Sequence, residues 1–244
     1  MTYCLGIKVK NGLVALADTR ITSGSHTTTA KKISTHQVGK NSLFLMTSGL
    51  RSVRDKAVTY FEEAIEEKGI EYKKMYKAVN AFGEQLRRVA KEDKASITAS
   101  GLYFNLHTIV GGQLEDDETH KLFLLYPEGN WIEIGEATPF TIIGNTGYGQ
   151  PILNRALTYD SSLRFALKTG FLSFDSTRVS ASDVGYPLDI IIYKKDSFEM
   201  IEQRFTYEEL KFIAVAWAEK LKAGIHDLPD SWMDDLLTKV AEEV

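Results

Sequence analysis

Cysteine is almost missing: Cys4 is the only one in 244 residues, so no internal disulfide can form and the core needs no oxidising compartment. Long apolar runs are missing too. None approaches the ~18 residues of a membrane span, and no membrane partner is expected. Charge of one sign is not in excess, since 29 basic and 33 acidic side chains leave a net charge of −4. A mildly acidic chain has no electrostatic reason to bind nucleic acid. His26, His36, His107, His120 and His226 form no i,i+4 pair and have no cysteine nearby, which argues against a zinc site. There is no G-x-S-x-G elbow, no G-x-x-x-x-G-K-[ST] phosphate loop and no dinucleotide fingerprint. The chain start lacks the apolar stretch and cleavage site of a signal peptide, so a cytoplasmic protein is expected.

What is there is an ordinary globular composition, 43% apolar and 25% charged, long enough for one large domain or two small ones. Residues 3–9 alternate, with Tyr3, Leu5, Ile7 and Val9 apolar against Cys4, Gly6 and Lys8, which predicts a half-buried strand. Asn11-Gly12 predicts a two-residue hairpin turn into a strand over 13–17 that ends at Asp18. A Ser/Thr-rich stretch over 22–30 precedes strands at 32–36 and 42–46. Helical spacing runs from Val53 to Ile65, with Gly69 as a C-terminal cap, and from Met75 to about Lys91. Strands are expected at 100–110, 122–126, 131–134 and 141–143, and the acidic tract 115–118 reads as a solvated hairpin loop.

Gly144 to Gly149 read as a strand-to-helix turn, with a close backbone approach as the sharper alternative. Helices over 151–158 and 161–177 and a hairpin over 188–205 follow. The tail adds two helices, the second capped by Ser231 with Asp234 three residues on. Hairpins dominate this order, which excludes an alternating Rossmann pattern and fits an α+β chain with a sheet pair between helix layers. The expected division is a catalytic sandwich over 1–205 and a helical extension over 206–244 packed on it.

The chemistry, if any, lies at the start. Removal of Met1 before a small residue would give Thr2 a free α-amine beside its hydroxyl. An amine of pKa about 7.7–8.0 is partly neutral near pH 7 and can serve as general base for that hydroxyl. Thr2 alone is only a small second residue. The hairpin brings company: a two-residue loop pairs Val9 with Val14 and Thr2 with Ile21, which leaves Asp18 near Thr2 but on the other face unless a bulge or twist intervenes. Lys31 and Lys32 follow, and a buried lysine held by an aspartate would lower a nearby group's proton affinity. Gly49, after an apolar strand, can present an N–H to a developing oxyanion.

At these residues the chain resembles the proteasome β-subunit family of N-terminal-nucleophile hydrolases. The resemblance rests on Thr2 and its strand, Ala17-Asp18-Thr19-Arg20, Lys32-Ile33, Thr47-Ser48-Gly49, Ile143-Gly144-Asn145 and Ser182-Asp183-Val184-Gly185. A bacterial branch of that family is suggested by Tyr148-Gly149-Gln150-Pro151, Ser173-Phe174-Asp175-Ser176-Thr177 and Val184-Gly185-Tyr186-Pro187. The resemblance implies a four-layer αββα sandwich with a C-terminal helical extension. It implies Thr2 as nucleophile, Lys32 lowering the proton affinity there, Asp18 orienting Lys32 and Gly49 supplying the oxyanion N–H. Ser180 and Asp183 would support the amine, with acid and hydroxyl exchanged relative to many family members. Arg20, Thr22, Ser48 and Asn145 would lie along the substrate.

The resemblance further implies a peptide or unfolded-protein substrate, no cofactor, no metal, and a homo-oligomer in a ring or open spiral; any ATPase partner is unknown. No propeptide is expected before Thr2, so activation would need only Met1 removal. A catalytically silent assembly subunit and an amidase acting on a small-molecule amide stay open beside the threonine peptidase.

Overall fold

A computed structural model describes residues 2–23, 26–68 and 72–242. Gly69, expected to cap a helix, lies outside them. Strand β1 (Tyr3–Val9) pairs antiparallel with β2 (Gly12–Asp18) from Cys4↔Ala17 to Val9↔Gly12. The turn is therefore Lys10-Asn11, and the register lies two residues from the expected one. The pairing runs on without a bulge. β1 is also buried along its whole length rather than half-buried. Its alternation separates two interiors: Cys4 joins a core with Ile109 and Leu122 of a second sheet, whereas Leu5 and Ile7 approach Gly170 of a helix.

The Ser/Thr-rich stretch folds as a two-stranded ribbon, β3 (Arg20–Ser23) with β4 (His26–Thr29), suited to its β-branched residues. β5 (Ile33–Val38) and β6 (Asn41–Gly49) follow. Helices α1 (Arg51–Lys68) and α2 (Met75–Ala99) come next, α2 running about eight residues past its expected end. That extension displaces the start of β7 (Leu106–Gln113). The acidic tract is no idle loop: Asp117 accepts the N–H groups of Met75 and Leu114 at 2.9 and 3.0 Å, satisfying a donor at the start of α2.

β8 (Lys121–Leu125), β9 (Trp131–Glu133) and β10 (Phe140–Gly144) lead to α3 (Gln150–Ala156) and α4 (Leu163–Ser180), then β11 (Leu188–Lys194) and β12 (Met200–Phe205). One sheet has the order β10-β1-β2-β11-β12 and the other β5-β6-β7-β8-β9. Along β6 the period of two is plain: Leu43 and Leu45 pack with α1 and α2, Phe44 and Met46 with the first sheet. α4 covers the other side of β1 and β2. The layers are α1/α2, sheet, sheet, α3/α4, so the expected αββα sandwich is observed.

The chain divides into two compact units, Met1–Tyr207 and Glu208–Val244. The second holds most of α5 (Tyr207–His226) and all of α6 (Asp234–Glu242). Ser231 opens a 3₁₀ turn ahead of α6 instead of capping it. No helix among the described residues is long and apolar enough to cross a membrane.

Candidate active site

Thr2 sits where β1 begins, against the end of β10. Gly144 has φ +91°, and a Cβ there would lie 1.9 Å from the Thr2 carbonyl oxygen, so only glycine lets the two backbones meet. The next N–H, of Asn145, donates to that carbonyl at 2.7 Å. The sharper reading of the glycine run is therefore the correct one at Gly144. Thr2 is almost wholly buried, with 9% of its surface exposed.

Asp18 ends β2 and is fully buried. Its Oδ1 accepts the Tyr3 N–H at 2.8 Å and the Lys32 ammonium at 2.6 Å, joining the residue after Thr2 to the lysine through one oxygen. Oδ2 has no hydrogen-bond partner of ordinary geometry among the described residues. Burial pushes the Asp18 carboxyl above the usual carboxylate range, while Lys32 and the backbone N–H groups of Tyr3 and Gly185 work against that rise. Lys32 also donates to the Arg20 carbonyl at 2.7 Å. The ribbon explains how it gets there: Arg20↔Thr29 pairing and the Ala30 N–H to Thr19 carbonyl bond (2.9 Å) return the chain to Asp18. The Lys32 carbonyl then takes the Thr47 N–H at 3.2 Å, fixing the lysine's backbone to β6. Lys31 is no rival, for it pairs with Glu202 at 2.5 Å and is half exposed.

Gly49 has φ +146°, and a Cβ would lie 2.1 Å from the Asn105 carbonyl oxygen, so glycine is required where β6 hands over to α1. Thr2, Arg20, Lys32, Ser48, Gly49 and Gly144 all line one cleft of about 610 Å³. Asn145 is held beside it by its bond to Thr2. Of Thr22 only the backbone, paired with Thr27, belongs to the described residues.

Asp183 is half-buried on the loop after α4. Burial raises its carboxyl, but hydrogen bonding and nearby positive charge, that of Lys32 included, outweigh that and hold it below its ordinary range. Arg20 ties this loop down, its Nη1 donating to the Ser182 carbonyl at 2.8 Å. Ser180, the last residue of α4, is exposed and not part of the cleft wall. Of the expected acid and hydroxyl, only the acid feels the charge of Lys32.

Sequence reasoning missed three contributors. The Tyr3 N–H as Asp18's second donor would have required the true register. Arg51 and Arg54 also line the cleft. Their signal was present: basic residues in the first turn of a helix, where its dipole favours acids. Among the described residues no cluster of His, Cys, Asp or Glu could hold a metal ion.

Two facing antiparallel sheets between helix layers, with a threonine just before the first strand and a buried Lys–Asp pair next to that strand's start, define the N-terminal-nucleophile hydrolase fold. The chain belongs to the proteasome subunit family, whose sequence model matches residues 2–179. Among solved structures it is similar to an Anbu (Gly-1) mutant from Hyphomicrobium sp. strain MC1, at 31% identity and a TM-score of 0.87, over 94% of this chain and 99% of that one. It is likewise similar to Anbu, an ancestral beta-subunit, from Yersinia bercovieri, at 31% identity and a TM-score of 0.87 over 93% and 98%. A third similar structure is a helical assembly of the Anbu complex from Pseudomonas aeruginosa, at 30% identity and a TM-score of 0.87 over 93% and 97%. No curated protein matches the chain.

Proposed function

We propose that this protein is a threonine peptidase that hydrolyses peptide bonds with Thr2 as nucleophile once Met1 is removed. The observation that carries this reading is the shared Asp18 oxygen, which ties Lys32 to the residue next to Thr2 inside a cleft that Thr2, Lys32 and Gly49 line together. The Thr2 hydroxyl attacks the peptide carbonyl and passes its proton to its own α-amine. The amine is the right base because its pKa lies near the working pH. Lys32 keeps a positive charge near Thr2 and lowers the proton affinity of the groups there, while Asp18 holds Lys32 in place. The N–H of Gly49 receives the developing oxyanion. The amine proton goes to the leaving amine, and water then hydrolyses the acyl-threonine ester.

The subunit is further proposed to work as a homo-oligomer. Supporting this, the second unit leaves Phe212, Val215, Ile225, Leu228, Trp232 and Leu237 each more than half exposed, an apolar excess unusual for a monomer's surface. A solved relative is a helical assembly by its own description. The exposed position of Ser180 favours one second reading, a catalytically silent assembly subunit with the same fold. Peptide turnover separates the two: activity abolished by Thr2→Ala supports the peptidase, and activity unchanged in that variant refutes it.

A further inference from the structure

The cleft that Thr2 lines is cationic beyond what the reaction needs. Lys32 is neutralised by Asp18, and Arg20 is engaged with the Ser182 carbonyl. Arg51 and Arg54 remain, one helical turn apart at the start of α1. Both lean on one carboxylate: Arg54 Nε lies 2.7 Å from Asp55 Oδ1 and Arg51 Nε 3.3 Å from Oδ2. One positive charge is left over. Arg54 spends one more donor on the Lys31 carbonyl at 2.8 Å. A guanidinium has five N–H donors, so each arginine keeps several for another acceptor. Among the described residues no carboxylate lines the cleft, and no acid occupies the first turn of α1. Two cations at a helix N-terminus oppose its dipole, a placement that stability alone does not favour.

We infer that this cleft selects peptides carrying a carboxylate, with Arg51 and Arg54 as the specificity-determining residues. The inference rests on the peptidase reading for its substrate class, but it concerns binding and is tested without turnover. A carboxylate in the cleft would accept N–H bonds from both guanidiniums, charge-assisted and so among the stronger hydrogen bonds. Arg54, with 19% of its side chain exposed, is already oriented; Arg51, at 66%, is free to swing. The carboxylate comes either from an acidic side chain or from a chain end.

Full-length Thr2→Ala protein, which cannot turn substrate over, is titrated into three fluorescein-labelled peptides at low salt, followed by anisotropy. One is end-blocked with a central Glu, one is its Gln twin, and one is the Gln twin with a free carboxyl end. The Glu peptide is expected to bind ~10-fold tighter than its blocked twin, a gap that narrows as salt rises. A gain for the free end alone supports carboxylate reading while assigning the site to chain ends. Arg51→Glu surrounds Arg54 with two carboxylates and is expected to remove or reverse the preference; because Arg51 is exposed, folding is not at stake. Equal binding of all three peptides, binding of none, or a preference that survives Arg51→Glu overturns the inference. A preserved preference in a protein whose wild type cleaves nothing leaves this inference standing and removes the peptidase reading instead.

Discussion

The sandwich buries two lysines near opposite ends of β1, and they are not alike. Lys32 and Lys8 are 7% and 6% exposed, so burial does not distinguish them. Their partners do. Lys32 meets a fully buried carboxylate at 2.6 Å and a carbonyl at 2.7 Å. Lys8 reaches Glu133, itself 40% exposed, at 3.5 Å and the Ile134 carbonyl at 3.3 Å. A buried ammonium held only by long contacts to an exposed glutamate and a carbonyl is a loosely fixed strand residue. One clamped by an aspartate that also holds the backbone beside Thr2 is a charge kept in place. The lesson is that a candidate site is marked by the tightness of its pairing, not by burial.

The largest effect that could break this contrast is on turnover. Lys32→Met is expected to lower peptide hydrolysis ~100-fold or more while the oligomer persists by size-exclusion chromatography, whereas Lys8→Met leaves the rate unchanged. Equal rates in wild type and Lys32→Met would remove the distinction. Stability comes next. Asp18→Ala strands the Lys32 ammonium in the interior and should cost about 3–5 kcal/mol by denaturant unfolding, but Glu133→Ala only about 0–1 kcal/mol.

A third prediction concerns the Lys8 end. The buried His120 lies 2.8 Å from the Val9 carbonyl through Nε2, which must therefore carry the proton. Burial depresses this imidazole from 6.5 to about 4, the Val9 bond opposing the shift. The unfolded chain then binds the extra proton first. Stability is complete above pH 6.5 and is lost as pH falls through 4, by an amount on the order of 3 kcal/mol. His120→Gln should flatten that window in a pH series of thermal melts. The smallest effect is at Ser180: its exposure predicts that Ser180→Ala shifts stability by no more than about 0.5 kcal/mol.

Much of this was legible in the sequence. The order of strands and helices carried the layers, and local chemistry or resemblance picked out Thr2, Lys32 and Gly49, which line one cleft, and Asp18, which pairs with Lys32. The register was not, because Asn11-Gly12 signals a turn without saying which residue of it pairs. Gly12 is itself paired, with Val9, a shift of two residues that keeps every side chain on its expected face; Asp18 needs no bulge because it bonds the Tyr3 backbone N–H. Burial on both faces of β1 was hidden for a different reason. Cys4, Gly6 and Lys8 look like a wet face in one dimension, but the second sheet covers them. The exposed position of Ser180 was not legible, since spacing along a chain says nothing about which way a helix end points.

The central claim, that a free Thr2 amine and hydroxyl form the reacting pair, is tested most directly at the terminus itself. Intact-mass measurement of the purified protein, before and after an electrophile that traps N-terminal threonine, reports both processing and reactivity. The account predicts a chain lacking Met1 that gains one adduct, located at Thr2 and absent from Thr2→Ala. A chain that keeps Met1, or an adduct that persists in Thr2→Ala, would contradict it.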